Sequence, residues 1–357
     1  MAMATAVMPV RIMTSARNGA SAVVPRPAIT KAVDTLRFQV LWDLYRTKVI
    51  GEAAATTSRD RLRRAALLRS RVISGLAAGG FGLVVVGLGG WWFTVAVGVI
   101  VHLGLLEFFR MAQFKGMRPA TKTTLVACQL LLLSTQWAVH GGLPAVLSAA
   151  VLPLAGASIC GWLLLQPLTG SIADIAASIF GLFYLGFLPS HWLQLRNLDA
   201  PALAPSLSAL SPEWSWVTSG LAITLSGCLM IVASDIGSWA VGRQFGRRPL
   251  SPISPGKTLE GALGGLLASM LVGGLSALLL GWPGWGIPGL LLGALVALIA
   301  LVGDLTESMM KRDAGVKDSG DVLPGHGGIL DRIDSYLFTP AVLYYLVALV
   351  LPLFSSP

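Results

Sequence analysis

Apolar runs of about 17 to 25 residues recur along this chain, and a helix of that length matches the hydrocarbon core of a bilayer. The runs lie near 72–89, 91–109, 121–139, 143–165, 171–189, 216–234, 259–281, 287–304 and 336–353. Only Gly89-Gly90 separates the first two, which predicts a tight helical hairpin there. Charged residues make up 12% of the chain, against about 25% in a soluble domain, too few to cover a water-facing surface. The expected fold class is therefore all-α, a polytopic transmembrane helical bundle of about nine spans.

Net charge is +9. In a soluble protein that excess would suggest nucleic acid, but no basic soluble module stands outside the spans. Lys and Arg in loops instead fix topology and attract anionic headgroups. Residues 59–71 carry Arg59, Arg61, Arg63, Arg64, Arg69 and Arg71 beside the first span. With that run on the cytoplasmic side, the inside loops are 110–120, 166–170, 235–258 and 305–335. These hold Arg110, Lys115 and Arg118, then Arg243, Arg247, Arg248 and Lys257, then Lys311, Arg312, Lys317 and Arg332. Outside, Arg196 is the main exception. The bias predicts a cytoplasmic N-terminus, an outside C-terminus, and both large polar loops on one face.

Residues 1–70 read as a separate basic tail. Arg11, Arg17, Arg26 and Lys31 precede the first acid, Asp34, among small residues. This is the composition of a transit peptide, and equally of a disordered bacterial tail. A bacterial cell membrane is the first expectation and a plastid membrane the second. Cys128, Cys160 and Cys228 lie in apolar stretches without metal spacing, as buried small residues would.

The densest ionisable cluster runs from Asp304, Glu307 and Ser308 through Lys311-Arg312, Lys317-Asp318 and Pro324-Gly325-His326-Gly327-Gly328 to Asp331-Arg332-Ile333-Asp334. Charges at membrane ends are costly unless paired or metal-bound, and so point to function. Carboxylates bind hard divalent cations, cationic side chains neutralise phosphate, and Gly-rich turns expose N–H groups to anions. The combination suits phosphoryl or nucleotidyl transfer better than transport of an uncharged solute. The earlier loop holds Asp235, Gly242 to Arg248, and Ser254-Pro255-Gly256-Lys257-Thr258 before Glu260-Gly261. Pro-Gly-Lys-Thr lacks the first Gly and the strand context of a nucleotide-binding P-loop. Lys257 and Thr258 remain candidate phosphate contacts at a helix start.

These residues carry a resemblance. The stretch Ser308 to Asp334 resembles the signature of the phosphatidate cytidylyltransferase family: Ser-x-x-Lys-Arg, Lys-Asp, Pro-x-His-Gly-Gly and Asp-Arg-x-Asp. The loop Gly242 to Gly261 is similar to that family's second loop, and Asp235 stands where the family has an acid. The resemblance implies a transmembrane domain over 71–357, with loops 235–258 and 305–335 forming the active site. It also implies transfer of the cytidylyl group of CTP to phosphatidic acid, by attack of a lipid phosphate oxygen on the α-phosphorus. Pyrophosphate is the leaving group and CDP-diacylglycerol the product. Two anions must meet, so positioning and charge neutralisation dominate.

By the same resemblance Asp304 and Asp331 are the expected metal ligands, brought together as the loop folds back. The cofactor implied is magnesium, one ion or two, the second either divalent or a monovalent cation such as K+. Lys311, Arg312, Lys317 and Arg332 are expected phosphate clamps, although Lys311 and Arg312 also fit the positive-inside rule. His326 either donates to a phosphate or caps its glycine turn. Asp318 and Asp334 either bind metal or hold Lys317 and Arg332. Asp235, Arg243, Ser254, Lys257, Thr258, Ser308, Gly327 and Gly328 are carried over as substrate-binding. The partners implied are CTP, phosphatidic acid, membrane lipids and a second copy of the chain as a homodimer.

Three rival readings are a CTP-dependent lipid-alcohol kinase, a CDP-alcohol phosphotransferase and a transporter. The complete signature favours the transferase over the first. The second's spaced Asp-Gly and Ala-Arg pattern is absent, and the third would place its charges in mid-span. Glu107 is expected to pair with Arg110 by helix spacing, and Asp174 to be a helix N-terminal acid. His102, His140 and His191 read as structural. Trp91, Trp92, Trp192, Trp214, Trp216, Trp282 and Trp285 read as an interfacial belt.

Overall fold

The computed structural model describes residues 75, 79–167, 170–199, 206, 217–282, 286–320 and 327–350. All belong to one compact unit, Leu62–Pro357. The tail 1–70, the start of the first expected span, His326, Trp214, Trp216 and Trp285 lie outside the described residues. What is described is mainly helical, with an isolated bridge between Pro249 and Thr258.

A short helix α1 (Gly79–Leu88) meets α2 (Gly90–Phe114). Between them Gly89 and Gly90 both take positive φ, 63° and 51°, which side chains disfavour. Then follow α3 (Thr121–Val139), α4 (Ala145–Leu164) and α5 (Ile172–Gly181). A π turn over Leu182–Phe187 carries α5 into α6 (Leu188–Arg196). Next come α7 (Ser219–Phe245), α8 (Leu259–Leu280) and α9 (Ile287–Asp313). The short α10 (Leu330–Leu337) and α11 (Thr339–Tyr345) close the described chain with a π turn, Leu346–Val350.

Among the described residues six helices are long and apolar enough to cross a membrane: Gly90–Phe114, Val146–Leu164, Ile172–Arg196, Ser219–Phe245, Leu259–Leu280 and Ile287–Asp313. The protein is an all-helical membrane protein. α3 falls outside this set because Thr121, Lys122, Thr123, Thr124, Gln129 and Gln136 dilute its apolar character.

Helix ends follow local chemistry. Ser171 and Asp174 form a reciprocal capping box on α5, so Asp174 is the N-terminal acid the sequence suggested. It also accepts from the Arg118 N–H at 2.6 Å. Thr218 caps α7 and Thr258 caps α8. Lys311 and Arg312 occupy the last turn of α9, where cations complement the helix dipole.

Lipid supplies no hydrophobic drive between helices, so close backbone approach through small residues does the packing. A Cβ on Gly265 would lie 2.1 Å from Ser238 Oγ of α7. One on Gly293 of α9 would lie 2.3 Å from the Ser269 carbonyl of α8, whose hydroxyl donates to the Gly293 carbonyl at 2.7 Å. The outward face of α8 is apolar, with Leu263, Leu267, Leu271 and Leu275 exposed at every fourth position.

Two expected belt residues prove to be core. Trp192 is buried and its indole donates to the Tyr336 carbonyl at 3.1 Å, and Trp282 is buried as well. Span-end position alone cannot distinguish a ring facing lipid from one facing a neighbouring helix. Trp91 and Trp92 are exposed, as a belt requires.

Candidate active site

The ends of α2, α7 and α9 and the starts of α8 and α10 converge, and their charged residues fall into two tiers. Asp304, Glu307 and Lys311 share one face of α9, while Asp331 and Asp334 sit one turn apart on α10.

In the first tier Lys257 forms an ion pair with Asp304. Asp235 lies within electrostatic reach of both, and Asp334 within reach of all three. Gly303 permits this approach, since a Cβ there would meet the Asp334 carbonyl at 2.3 Å. Burial pushes the Asp334 carboxyl up to about 7, with Asp304 adding repulsion; the Ser335 N–H (2.7 Å) and Lys257 oppose the rise. Three carboxylates thus face one ammonium.

The preceding loop delivers that ammonium. Leu250 N–H donates to the Lys257 carbonyl (2.8 Å) and Leu259 N–H to the Arg248 carbonyl (2.9 Å). Glu260 Oε2 accepts from the N–H groups of Arg247 (3.0 Å) and Arg248 (3.2 Å). The clasp points Lys257 inward and leaves Arg247 and Arg248 exposed. The Ser254 carbonyl accepts from Lys257 N–H at 3.1 Å. Thr258 is buried, and its hydroxyl is committed to the Gly261 N–H at 3.1 Å. Its evident work is capping α8.

In the second tier Lys311 Nζ lies 2.5 Å from both Glu307 Oε2 and Asp331 Oδ1. Asp331 Oδ2 accepts from the N–H groups of Gly328 (2.8 Å) and Ser319 (2.9 Å), and the Ser319 hydroxyl stands 3.0 Å away, its single proton shared between Asp331 and Glu107. Burial opposes the charge on Asp331, but contacts with Glu307, Lys311, Gly328 and Ser319 outweigh it and hold the carboxyl below the usual carboxylate range. Asp304 and Asp331 therefore belong to different groups: Asp304 joins Asp235 and Asp334, whereas Asp331 organises the turn before α10. Helix geometry places them on successive levels.

Beneath lies Glu107 of α2. It is buried and accepts from Ser319 Oγ, Ile329 N–H and Leu330 N–H, each at 2.9 Å. This corrects the expected pairing with Arg110, which instead lies over the Phe114 ring at 5.7 Å. A lone acid inside an apolar run was the available signal; spacing to the nearest base misdirected it. Gly328 is buried, Gly327 has φ 79°, and a Cβ on Gly328 would meet Glu107 Oε2 at 2.3 Å.

The remaining signature residues form a rim. Arg312, Lys317, Asp318 and Arg332 are exposed, Arg312 donating to the Val316 carbonyl at 3.3 Å. Arg243 is exposed over the Trp239 ring at 5.3 Å. Ser308 is buried on α9. Sequence reasoning passed over Tyr184, whose hydroxyl is fully enclosed and makes no hydrogen bond among the described residues. It sits in the π turn, a geometry frequent at functional sites, and Asp334, Glu307 and Asp304 act on it electrostatically.

Two of the histidines have structural partners, whereas His102 is exposed on α2. His191 is buried, with Nδ1 3.0 Å from the Phe187 carbonyl and Nε2 3.2 Å from the Tyr345 hydroxyl; His140 Nδ1 lies 3.0 Å from the Gln136 carbonyl. A cavity of about 290 Å³ between Arg118, Trp162, Gln166 and Asp174 shares no residue with either tier.

A family model described as the cytidylyltransferase family matches residues 69–350. A phosphatidate cytidylyltransferase of Synechocystis sp. is 48% identical over 295 residues, covering 80% of this chain and 98% of its own. Phosphatidate cytidylyltransferase 4, chloroplastic, of Arabidopsis thaliana is 39% identical over 310 residues, 83% of this chain and 77% of its own. A phosphatidate cytidylyltransferase of Bacillus subtilis is 29% identical over 283 residues, 79% and 98% respectively. Both tiers and the clasp lie inside the matched region, and the chain belongs to the cytidylyltransferase family.

Proposed function

We propose that this protein transfers the cytidylyl group of CTP to phosphatidic acid, giving CDP-diacylglycerol and pyrophosphate. The observation that carries the reading is the three-carboxylate group around Lys257, set beside a rim of Arg and Lys at one end of an apolar bundle. A lipid phosphate lies at the membrane edge and a nucleoside triphosphate in water, and such a site touches both.

The chemistry needs little base catalysis, because the attacking phosphate oxygen is already anionic. Lys257, Lys311, Arg312, Lys317 and Arg332 offset the charge of two phosphate-bearing substrates, and the enclosed Tyr184 hydroxyl is a donor without an acceptor among the described residues. The first tier offers oxygen donors of the kind a divalent cation takes, in Asp235, Asp304 and Asp334. Among the described residues no three acids stand ready to hold a metal ion, so binding there would require these carboxylates to close in and Lys257 to leave Asp304. Magnesium held there, when bound, supplies further neutralisation of triphosphate charge. Asp331, with both oxygens engaged, acts from the second tier by fixing Lys311.

We further read nine spans, with the N-terminus cytoplasmic and the C-terminus outside. α3 supports this by lying alongside crossing helices: Ala120 N–H donates to Ser178 Oγ near one end and Asn197 Nδ2 to Gln136 Oε1 near the other. The segment from α10 to the last π turn runs from the charged tiers at Asp331 to His191 at Tyr345. α1 is the described remainder of the first span. The apolar outer faces suit membrane lipid and a second copy of the chain as homodimer partner. The site of action is a bacterial cell membrane; the alternative, a plastid membrane, is favoured by the transit-like composition of the first seventy residues.

The test uses purified protein in detergent with CTP and phosphatidic acid, with and without magnesium. Magnesium-dependent formation of a liponucleotide and pyrophosphate is expected. Release of CDP with phosphorylation of an added polyprenol would move the assignment to a lipid-alcohol kinase.

A further inference from the structure

Glu107 stands outside every motif of the signature, more than two hundred positions earlier in the chain, yet it touches the signature loop at three points. Its Oε1 accepts from Ile329 N–H, and its Oε2 from Leu330 N–H and Ser319 Oγ, each at 2.9 Å. The two N–H groups are the free donors at the start of α10, which helix geometry leaves without internal partners. A negative charge at that end also complements the helix dipole. Glu107 is thus a cap supplied from another helix, and α10 carries Asp331, Arg332 and Asp334.

The residue type is dictated by the donors. Both carboxylate oxygens face N–H groups, so an amide of the same shape would turn its NH2 toward one of them and strand a buried donor. Length is dictated as well. A Cβ on Gly320 would come within 2.6 Å of Glu107 Oε1, and one on Gly328 within 2.3 Å of Oε2. The two glycines leave the space that the carboxylate fills.

From Glu107 the contacts continue through one side chain. The Ser319 hydroxyl lies 2.9 Å from Glu107 Oε2 and 3.0 Å from Asp331 Oδ2, and Asp331 Oδ1 holds Lys311 Nζ at 2.5 Å. We propose that Glu107 is a positioning residue for the reaction: it fixes the start of α10 and, through Ser319 and Asp331, the place of the Lys311 ammonium. The catalytic consequence rests on the function proposed above; the anchoring does not.

The test compares full-length wild type with Glu107→Gln and Ser319→Ala in detergent. Turnover is measured per folded molecule with CTP and phosphatidic acid varied separately, and amide hydrogen exchange is followed along the chain. For Glu107→Gln the expected result is a fall in kcat of about tenfold or more, with a smaller change in KM for either substrate. Exchange is expected to quicken at 327–331 while the other helices keep their protection. Unchanged kcat per folded molecule, or faster exchange spread evenly over the bundle with a lower Tm, would overturn the proposal. Should Glu107→Gln fail to fold, Ser319→Ala leaves the cap in place and cuts the link to Asp331. It is then expected to lower kcat with normal exchange at Leu330, and unaltered kcat would count against the proposal. A wild type that makes no liponucleotide would sink the function instead, and local exchange at 327–331 alone would then decide whether Glu107 anchors the loop.

Discussion

At the scale of single residues, the first tier is an electrostatic imbalance with one positive charge in its middle. Asp304→Asn removes the carboxylate paired with Lys257 and is expected to lower turnover by orders of magnitude in a protein that still folds; near-normal turnover in detergent would remove Asp304 from the site. Lys257→Ala is expected to raise the CTP requirement more than the phosphatidate requirement, and equal effects in steady-state kinetics with each substrate varied would move Lys257 out of the nucleotide site. Asp334 gives a pH dependence. Its carboxyl is raised to about 7 by burial and by Asp304, so the folded protein holds that proton more tightly than the unfolded chain. Its contribution to stability is therefore full at low pH, is lost as pH rises from the ordinary carboxylate range through about 7, and is flat above. In metal-free detergent Tm should fall across that window, and Asp334→Asn should flatten this part of the slope while abolishing turnover. A slope identical in wild type and variant would refute the assignment. The signature residues announced themselves through spacing along 308–334. The company of Asp304 did not, because Asp235 and Asp334 come from two other helices and no local pattern records a meeting in space.

At the scale of elements, glycines rather than apolar periodicity set how close the helices come. α8 is apolar nearly all round, so its sequence says that it lies in lipid or protein and not which face meets α7. The contact is fixed by Gly265, where an added methyl would lie 2.1 Å from Ser238 Oγ and 2.6 Å from the Ser234 carbonyl. Gly265→Ala is expected to destabilise the protein by ~1–3 kcal/mol, as overpacking does. It should also lower activity, because Asp235 on α7 moves relative to Lys257 just before α8. Gly161→Ala, which meets nothing within 4 Å, is the matched control with little effect. Thermal unfolding of both variants in detergent separates the cases, and equal behaviour would mean that the α7–α8 contact tolerates widening. The same limit explains the boundaries. The fifth run, read as 171–189, is one helix to Arg196 because a π turn lets Pro189 pass without a break. The ninth run follows a separate short helix, α10, which forms at the end of the loop because Glu107 caps it from outside its own sequence.

For the whole molecule, orientation is a question of which charges count. The positive-inside reading left Arg196 as its main exception, a cation in an outside loop. The structure gives that residue other work. It is buried, its Nε donates to the Val86 carbonyl at 2.7 Å, its Nη2 to the Gly87 carbonyl at 3.1 Å, and its Nη1 meets Thr218 Oγ1 at 3.3 Å. Arg196 satisfies the last carbonyls of α1, so it is a strut between helix ends and not a loop charge free to act on membrane orientation. At the other end of the bundle, Lys115 reaches Asp313 at 3.1 Å and Arg118 N–H reaches Asp174. These contacts gather the starts of α3 and α5 and the ends of α2 and α9 on the side that carries the tiers. With Arg196 set aside, the cations of the described loops lie almost wholly on that side, which is the cytoplasmic side in the proposed topology. In a background lacking Cys128, Cys160 and Cys228, Ser251→Cys in the clasp and Asp199→Cys after α6 should therefore differ in access. A membrane-impermeant maleimide should label position 251 only in inside-out vesicles and position 199 only in right-side-out vesicles. The reverse pattern would invert the topology and place the acidic tiers away from nucleotide. Labelling of both positions from one side would mean that Ser219–Phe245 does not cross as assigned, and the span count would fall with it.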